Sequence, residues 1–324
     1  MTWHRGLQRL SVGTNRTEIG GRSEFPNSAR FRLTSWLRRV LDAMRVAVTG
    51  AAGQLGSEVV KSFSSAHEVR AFGREQLDVT DYDQVMQELG AWQCDAIINC
   101  AAFTDVDRCE TEVERAYATN ALAVRHLAEA AESSGAQLCH VSTDYVFDGN
   151  ADSYREWDPP APLSVYGASK LAGELEVQEV STNWLIVRTA WIYGHVGRNF
   201  VKTMLMLAAE QTQVEVVDDQ RGTPSYARDI ASAICGLVRR RRRGIFHVTN
   251  SGETTWYEFA RAVFEEAGLD PKRVHPTSSE TIRRPAPRPR SSVLENFALI
   301  RSGTGELRHW REALTEFMSN QEEL

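Results

Sequence analysis

The chain has 324 residues, of which 42% are hydrophobic and 25% charged, with 37 lysines and arginines against 43 acidic residues. This composition is typical of a globular protein, and the length suffices for one large or two modest domains. The net charge of −6 argues against nucleic-acid binding, because an acidic protein repels phosphate backbones. Charged residues interrupt every apolar run before it reaches the roughly 18 residues of a membrane-spanning helix, so we expect no membrane partner.

The charge is unevenly distributed along the chain. Residues 1–43 contain eight arginines, no lysine and three acidic residues, a net charge of +5, so the remaining residues carry −11. We interpret residues 1–43 as an arginine-rich leader that is disordered and dispensable, or as a start assigned upstream of Met44. A targeting peptide and a partner-binding arm are the alternatives. Deletion of this segment should leave the protein's activity intact.

The cysteines and histidines show no metal-ligand or disulfide pattern. The five cysteines are odd in number, widely spread and without a C-x-x-C pair, which predicts reduced thiols in a cytoplasmic protein. His140, His195 and His247 also lack ligand spacing, so we interpret them as packing or surface residues. The cysteines are Cys94, Cys100, Cys109, Cys139 and Cys235.

From Met44 onward, short β-branched runs alternate with amphipathic stretches. This alternation predicts right-handed β-α-β units that build an α/β fold, a Rossmann-type doubly wound parallel sheet with helices on both faces. Residues 44–190 would form this NAD(P)-binding domain. The predicted strands are residues 45–49, 69–72, 96–100, 137–142 and 184–188, and the predicted helices are residues 55–63, 82–89, 112–133 and 166–179.

Beyond residue 190 the alternation loosens, and residues 191–324 are expected to form mainly a smaller α/β substrate-binding lobe that partly returns to the sheet. The five arginines at 239–243 follow a helix and fit a solvated helix end, where cations suit the negative end of the dipole. The basic, proline-containing loop 283–290 either is structural or contacts a nucleotide diphosphate. Helices are predicted near residues 198–210, 226–238, 255–267 and 306–318.

The glycines between the first strand and the first helix have the spacing of a dinucleotide-binding turn. Gly50 permits a tight turn, Gly53 lets backbone N–H groups approach a pyrophosphate, and Gly56 lets the helix pack close to the sheet. The N-terminus of the helix then points its positive dipole end at the phosphates. A purely structural turn is the alternative.

The end of the second strand indicates which dinucleotide binds. An acidic residue there would hold the ribose 2′-hydroxyl of NAD, whereas this chain has Arg74, which suits the 2′-phosphate of NADP. We therefore predict NADPH as the cofactor, with NADH as the alternative if Arg74 is only a solvated side chain. Asp78, Val79 and residues 99–103 follow later sheet elements, at the crevice where an adenosine would lie.

Tyr166 and Lys170 are four residues apart, which places them on one face of a predicted helix. An ordinary tyrosine titrates near about 10, so proton exchange at neutral pH requires a neighbouring cation that stabilises the phenolate. Thr143 ends the preceding strand and would donate a hydrogen bond to a substrate oxygen that becomes an alkoxide. We predict Thr143, Tyr166 and Lys170 as the catalytic residues of a reductase.

With these motifs, residues 44–324 resemble the extended short-chain dehydrogenase/reductases, and within them the dTDP-4-dehydrorhamnose reductases. The resemblance implies an oxidoreductase that uses NAD(P)H to reduce the 4-keto group of dTDP-4-dehydro-β-L-rhamnose, giving dTDP-L-rhamnose. The segments that carry it are residues 49–56, 98–107, 141–149, 161–167, 170–174, 188–194 and 218–224.

The resemblance also implies residue roles. Tyr166 would donate the proton, and Lys170 would hold both the tyrosine and the cofactor ribose. Thr143, Asp144 and Trp191 would face the sugar. The residues lining the cofactor would be Gly53, Gln54, Leu55, Asp78, Val79, Ala101, Ala102 and Phe103. Phe103 departs from the family's His or Tyr, which keeps stacking but removes a polar contact.

Some members of the family bind magnesium at a dimer contact through glutamates. Glu58 matches one of these, but the others have no match, so we assign no metal ligand and leave Mg²⁺ and a homodimer open. Three alternatives remain. A sugar-nucleotide dehydratase needs an Asp-Glu pair where this chain has Asp144 and Tyr145, and an epimerase favours an acid at Arg74. A non-catalytic NADP-binding subunit, like the regulatory subunit of methionine adenosyltransferase, would not need the retained Tyr166.

Overall fold

The structure is a computed structural model that describes residues 43–320. The leader predicted at residues 1–43 therefore lies outside the described residues, apart from Ala43. Among the described residues, no helix is both long and apolar enough to cross a bilayer.

A six-stranded parallel sheet organises the fold, in the order β2-β1-β3-β4-β5-β10. The strands are β1 (Arg45–Thr49), β2 (Glu68–Phe72), β3 (Ala96–Asn99), β4 (Gln137–Thr143), β5 (Trp184–Thr189), β6 (Ile192–Tyr193), β7 (Val214–Val217), β8 (Arg221–Gly222), β9 (Ser225–Tyr226), β10 (Gly244–His247), β11 (Thr254–Thr255) and β12 (Val274–Thr277). The sheet grows in opposite directions from the boundary between β1 and β3, and such a switch point opens a crevice at the carboxyl ends of the strands. The predicted doubly wound parallel sheet is confirmed.

Helices cover both faces of this sheet. Alternate residues of a strand point to opposite faces, so Val48 packs on the side of the helices at residues 54–64 and 227–239, whereas Ala47 packs on the side of the helix at residues 123–134. The helices are α1 (Gln54–Ser64), α2 (Tyr82–Val85), α3 (Val106–Cys109), α4 (Val113–Tyr117), α5 (Ala123–Ser134), α6 (Val165–Val180), α7 (Phe200–Glu210), α8 (Ala227–Arg239), α9 (Trp256–Glu266), α10 (Phe297–Arg301) and α11 (Trp310–Ser319).

A third hydrophobic cluster belongs to the residues beyond 190. Tyr193, Phe259, Val263 and Phe317 are buried in it, between α9, α11 and the short strands. β10 returns to the six-stranded sheet, where it pairs with β5. The division at residue 190 into a cofactor domain and a substrate lobe stays a prediction.

Three predicted helices differ from the observed ones. The helix predicted at residues 82–89 continues beyond α2 as a π-helix, Met86–Gly90. The helix predicted at residues 112–133 is divided into α4 and α5 by a π-helical turn, Ala118–Leu122, a feature frequent at functional sites. The helix predicted at residues 306–318 begins only at Trp310. The preceding residue His309 forms a bridge with Ser251, and its side chain accepts a hydrogen bond from the Arg311 N–H.

Candidate active site

One cavity of about 720 Å³ opens at the carboxyl ends of the parallel strands. Every residue to which the sequence assigned a role lies on its wall, although the roles themselves stay predictions. These residues are Gly50, Gly53, Gln54, Leu55, Gly56, Arg74, Asp78, Val79, Ala101, Ala102, Phe103, Thr143, Asp144, Tyr166, Lys170 and Trp191.

The glycine turn has the shape of an anion cradle. Gly50 has φ +64°, and a Cβ on it would lie 2.5 Å from the Ala101 nitrogen. A Cβ on Gly56 would lie 2.1 Å from the Gly50 carbonyl oxygen, so this helix turn tolerates no side chain. Gly53 caps α1 without a side-chain hydrogen bond. The first N–H groups of α1 therefore keep the donor capacity that suits a pyrophosphate.

The cavity wall carries cations beside this cradle. Arg74 is exposed at the wall, in the loop after β2. Hydrogen bonds from Thr80 hold the pKa of the nearby Asp78 carboxyl below its ordinary value. Arg115 also lines the wall, with its guanidinium 4.6 Å from the centre of the Phe103 ring. Sequence reasoning missed Arg115, because only the fold brings α4 over Phe103.

Phe103 is held in place by the π-helical turn. The Asn120 side chain accepts from the Phe103 N–H at 2.8 Å and donates to the Phe103 carbonyl at 3.1 Å. Asn120 also donates to the Ser169 hydroxyl on α6 at 3.0 Å. Asn120 thus ties the wall segment after β3 to the helix that carries Tyr166 and Lys170.

Tyr166 lies in the first turn of α6, which Ser164 caps by accepting from the Gly167 N–H at 3.1 Å. Burial raises the pKa of the Tyr166 phenol above its ordinary value, and a hydrogen bond with the Thr143 side chain opposes this only in part. The direction is opposite to that predicted from a neighbouring cation. The phenol is therefore fully protonated at neutral pH and has a proton to give.

Lys170 is buried and directed toward the sheet. Its Nζ donates to the Val141 carbonyl at 2.7 Å and lies 3.3 Å from His140 Nε2. Burial lowers the pKa of Lys170 to about 8, although Glu174 and Cys100 act in the opposite direction. The prediction placed the Lys170 ammonium beside Tyr166. In the described part of the chain, its hydrogen-bond partners are instead on β4.

His140 is a buried packing residue, one of the two roles that the sequence suggested, and it also contacts Lys170. Its ring is fully buried and bridges Asn99 and Lys170, with His140 Nδ1 3.0 Å from Asn99 Nδ2. Its position in β4, three residues before Thr143, was the one signal that the sequence offered.

Asp144 lines the cavity, and its two carboxylate oxygens differ in their hydrogen bonding. Its Oδ1 accepts from the Thr143 hydroxyl at 2.9 Å, whereas its buried Oδ2 has no hydrogen-bond partner among the described residues. Burial raises the pKa of Asp144 to about 6, despite hydrogen bonds from Ser292 and Thr143. A buried polar atom without a partner is costly, so Oδ2 disfavours the ionised form of Asp144 in the folded protein.

Two stacked indoles form a further part of the cavity wall. Trp191 adopts φ +45° and stacks on Trp256, with ring centroids 3.5 Å apart and planes within 7°. A Cβ on Gly222 would lie 2.4 Å from Trp191 Cε2, so this glycine makes room for the indole. Sequence reasoning missed Trp256, which lies far along the chain on α9.

The basic segments are separate from this cavity wall. No residue of loop 283–290 is on the wall. Arg288 instead forms a bidentate pair with Asp107, at 2.9 and 3.0 Å, so the structure favours the structural alternative for the loop. Residues 239–243 are exposed at the end of α8, as expected for a solvated helix end.

The structure assigns no magnesium ligands. Glu58 is buried and pairs with Lys61 at 2.9 Å. Residues 43–320 contain no group of three or more His, Cys, Asp or Glu side chains that could hold a metal ion. Magnesium therefore has no support in the described part of the chain.

The switch-point crevice, the glycine cradle and the Tyr166 helix meet in one cavity, and this combination defines an oxidoreductase class, the extended short-chain dehydrogenase/reductases. Within that class, residues 44–323 match the family model described as the RmlD substrate binding domain. The chain belongs to this family, and its resemblance to the dTDP-4-dehydrorhamnose reductases is confirmed.

Several of the similar proteins carry the names of dTDP-sugar reductases. A dTDP-4-dehydrorhamnose reductase of Streptomyces griseus is 44% identical over 277 residues, which cover 83% of this chain and 91% of the relative. A dTDP-4-keto-6-deoxy-D-glucose reductase of Streptomyces niveus is 40% identical over 272 residues, covering 83% and 94%. The crystal structure of dTDP-4-dehydrorhamnose reductase from Bacillus anthracis in complex with NADP is 39% identical, has a TM-score of 0.83, and is matched over 86% of this chain and 99% of that one.

Proposed function

We propose that the protein reduces the 4-keto group of dTDP-4-dehydro-β-L-rhamnose to give dTDP-L-rhamnose, with NADPH as the cofactor. The observation that carries the proposal is a cavity that joins a glycine cradle to a protonated Tyr166 beside Thr143. The names of its relatives support the dTDP-sugar substrate. A cytoplasmic location is part of the proposal, and the five free cysteines, all in the described part of the chain, support it.

The cradle and the neighbouring wall fit a dinucleotide phosphate. The N–H groups at the start of α1 would bind the pyrophosphate, Asp78 and Val79 would line the adenosine, and Arg74 would bind the 2′-phosphate. When bound, NADPH supplies the hydride. The NADP complex of the Bacillus anthracis relative supports this choice of cofactor. The residue at position 74 supports it too, because it is an arginine and not the acidic residue that would favour NAD.

Side chains of the protein would donate the proton of the reduction and bind the substrate around the reacting oxygen. Tyr166 is protonated and buried, so it can give its proton to the substrate oxygen as negative charge develops there. The Thr143 hydroxyl, now bonded to Asp144, can turn to donate to the same oxygen. Asp144 Oδ2 would accept from a sugar hydroxyl, and the stacked indoles of Trp191 and Trp256 would cover the apolar face of the deoxysugar.

The test is NADPH oxidation, followed at 340 nm, on addition of purified dTDP-4-dehydrorhamnose. We expect turnover by the wild type and a loss of about 100-fold or more in Tyr166→Phe, because the phenol is the proton donor. Tyr154→Phe is the matched control, since Tyr154 is a buried tyrosine that lies off the cavity wall. An equally fast Tyr166→Phe enzyme would refute the mechanism. No NADPH consumption would favour the non-catalytic binding subunit.

The cofactor and the sugar are tested in the same assay. Arg74→Ala should raise the KM for NADPH about tenfold or more and leave that for NADH unchanged, because Arg74 would meet only the 2′-phosphate. The 40% identity to the Streptomyces niveus reductase makes dTDP-4-keto-6-deoxy-D-glucose the second substrate to assay. Formation of an epimer or a dehydrated sugar, without net NADPH oxidation, would support the epimerase or dehydratase alternative.

A further inference from the structure

A buried chain of hydrogen bonds leads from β1 to Lys170 and fixes the orientation of Asn99. Asn99 Oδ1 accepts from the Thr49 hydroxyl at 2.8 Å and from the Ala101 N–H at 3.0 Å. A backbone N–H can only donate, so the amide oxygen must lie on this side. The Asn99 amide nitrogen therefore faces His140, with its Nδ2 3.0 Å from His140 Nδ1.

The orientation of Asn99 determines which nitrogen of His140 carries the proton. An amide nitrogen only donates, so His140 Nδ1 must accept and is unprotonated. Burial, reinforced by the nearby Lys170, lowers the pKa of His140 well below its ordinary value, so the ring is neutral. The single proton of the ring then lies on Nε2, which is 3.3 Å from Lys170 Nζ.

An N–H group directed at Lys170 favours the neutral amine. An ammonium has no lone pair to accept the His140 Nε2–H, whereas an amine can accept it and still donate to the Val141 carbonyl at 2.7 Å. The negative charge of Glu174 acts against this, but that carboxylate is paired with Arg188 at 2.7 Å. Other titratable groups in the surrounding elements are Cys139 on β4, Cys100 after β3, Asp144 and Tyr145 after β4, and Tyr166 on α6.

We propose that His140 is a positioning residue for the reduction: its Nε2–H holds the Lys170 side chain and favours the neutral amine. The charge state is a property of the protein alone. Its catalytic consequence rests on the proposed function, in which Tyr166 gives up a proton and the resulting phenolate requires a protonated lysine nearby.

Four lysines make this charge state directly measurable. Wild-type protein labelled at lysine Cε should show a Lys170 signal that titrates near pH 8, below the range of an ordinary lysine side chain. His140→Asn keeps an oxygen at the Nδ1 position for Asn99 but removes the N–H from Lys170, so the pKa of Lys170 should rise by about one unit. His140→Gln, whose oxygen can accept from an ammonium, should raise it as well. The four are Lys61, Lys170, Lys202 and Lys272.

His275→Gln is the control, because His275 lies on β12 and off the cavity wall, and it should leave the titration of Lys170 unchanged. In the enzyme assay, the alkaline pKa of the pH profile of kcat/KM should rise in His140→Asn by the same amount as the pKa of Lys170. An unchanged pKa of Lys170 in His140→Asn overturns the proposal. If neither variant folds, ¹⁵N spectra of the wild-type histidines decide, since a proton on His140 Nδ1 overturns it and one on Nε2 supports it.

The proposed function and the proposed role of His140 can be refuted independently of each other. A chain that reduces no keto sugar but shows the Lys170 shift refutes the proposed function and retains the role of His140 in setting the lysine charge. A chain that reduces the sugar with an unshifted Lys170 retains the function and refutes the role of His140.

Discussion

Replacement of Asp144 by asparagine should stabilise the protein while it impairs the reaction. Burial raises the pKa of Asp144 from 3.8 to about 6, a shift of about two units, and one unit corresponds to about 1.4 kcal/mol. Above pH 6 this carboxylate therefore costs the folded protein about 3 kcal/mol, whereas below pH 3.8 both the folded and the unfolded chain are protonated and the penalty vanishes. The Asp144→Asn substitution would remove the ionisable group and with it the penalty.

Urea unfolding of wild type and Asp144→Asn, followed by circular dichroism, measures the effect. The variant's advantage in the free energy of unfolding should be about 3 kcal/mol at pH 7.5 and fall to about 1 kcal/mol at pH 4.5. Asp148→Asn is the control of opposite sign, because hydrogen bonds from Tyr154 and Asn150 lower the pKa of that carboxyl, so its replacement should destabilise the protein. An Asp144→Asn difference that is equal at both pH values would refute the reasoning.

Two further substitutions test the buried ion pair and the aromatic wall. Glu174→Gln should lower the free energy of unfolding by about 3 to 5 kcal/mol, because Arg188 would stay buried without its counter-charge. The control Glu176→Gln removes a charge from an exposed ion pair and should change the free energy of unfolding by less than about 1 kcal/mol. Equal losses for the two variants in urea unfolding would contradict this prediction. Gly222→Ala should displace the Trp191 indole and raise the KM for the sugar nucleotide about tenfold. Tryptophan fluorescence should change, whereas the affinity for NADPH should not. An unchanged KM for the sugar nucleotide would show that the indole does not contact the sugar.

The sequence predicted those parts of the fold that depend on local pattern. Short runs rich in apolar residues marked the five sheet strands up to residue 190 within one or two residues. A strand buried on both faces carries apolar residues on both, as β3 does up to Asn99. The edge strand β2 differs, because Glu68, Arg70 and Ala71 are exposed. The glycine spacing and the four-residue spacing of Tyr166 and Lys170 likewise follow from local geometry. These signals sufficed to gather all the predicted site residues at one cavity.

The remaining features depend on contacts between distant segments. Asn99 and His140 meet because they are register partners in β3 and β4, and a one-residue slip would send the two side chains to opposite faces. Neither residue by itself indicates in the sequence that the two side chains will be in contact. Trp256 contacts Trp191 only because α9 packs against this part of the fold. The Asn120 side chain in the π-helical turn hydrogen-bonds to the backbone of Phe103, which lies on another segment.

The pair between Asp107 and Arg288 also has a consequence for how the protein is made. The two residues are 181 positions apart in the chain, so the wall segment that carries Asp107 can be locked only after nearly the whole polypeptide has been synthesised. Contacts between such distant residues form late, because a large loop must close first. During refolding, dinucleotide affinity should therefore return after the secondary structure, and a nascent chain that stops before Arg288 would carry the glycine cradle without its finished wall.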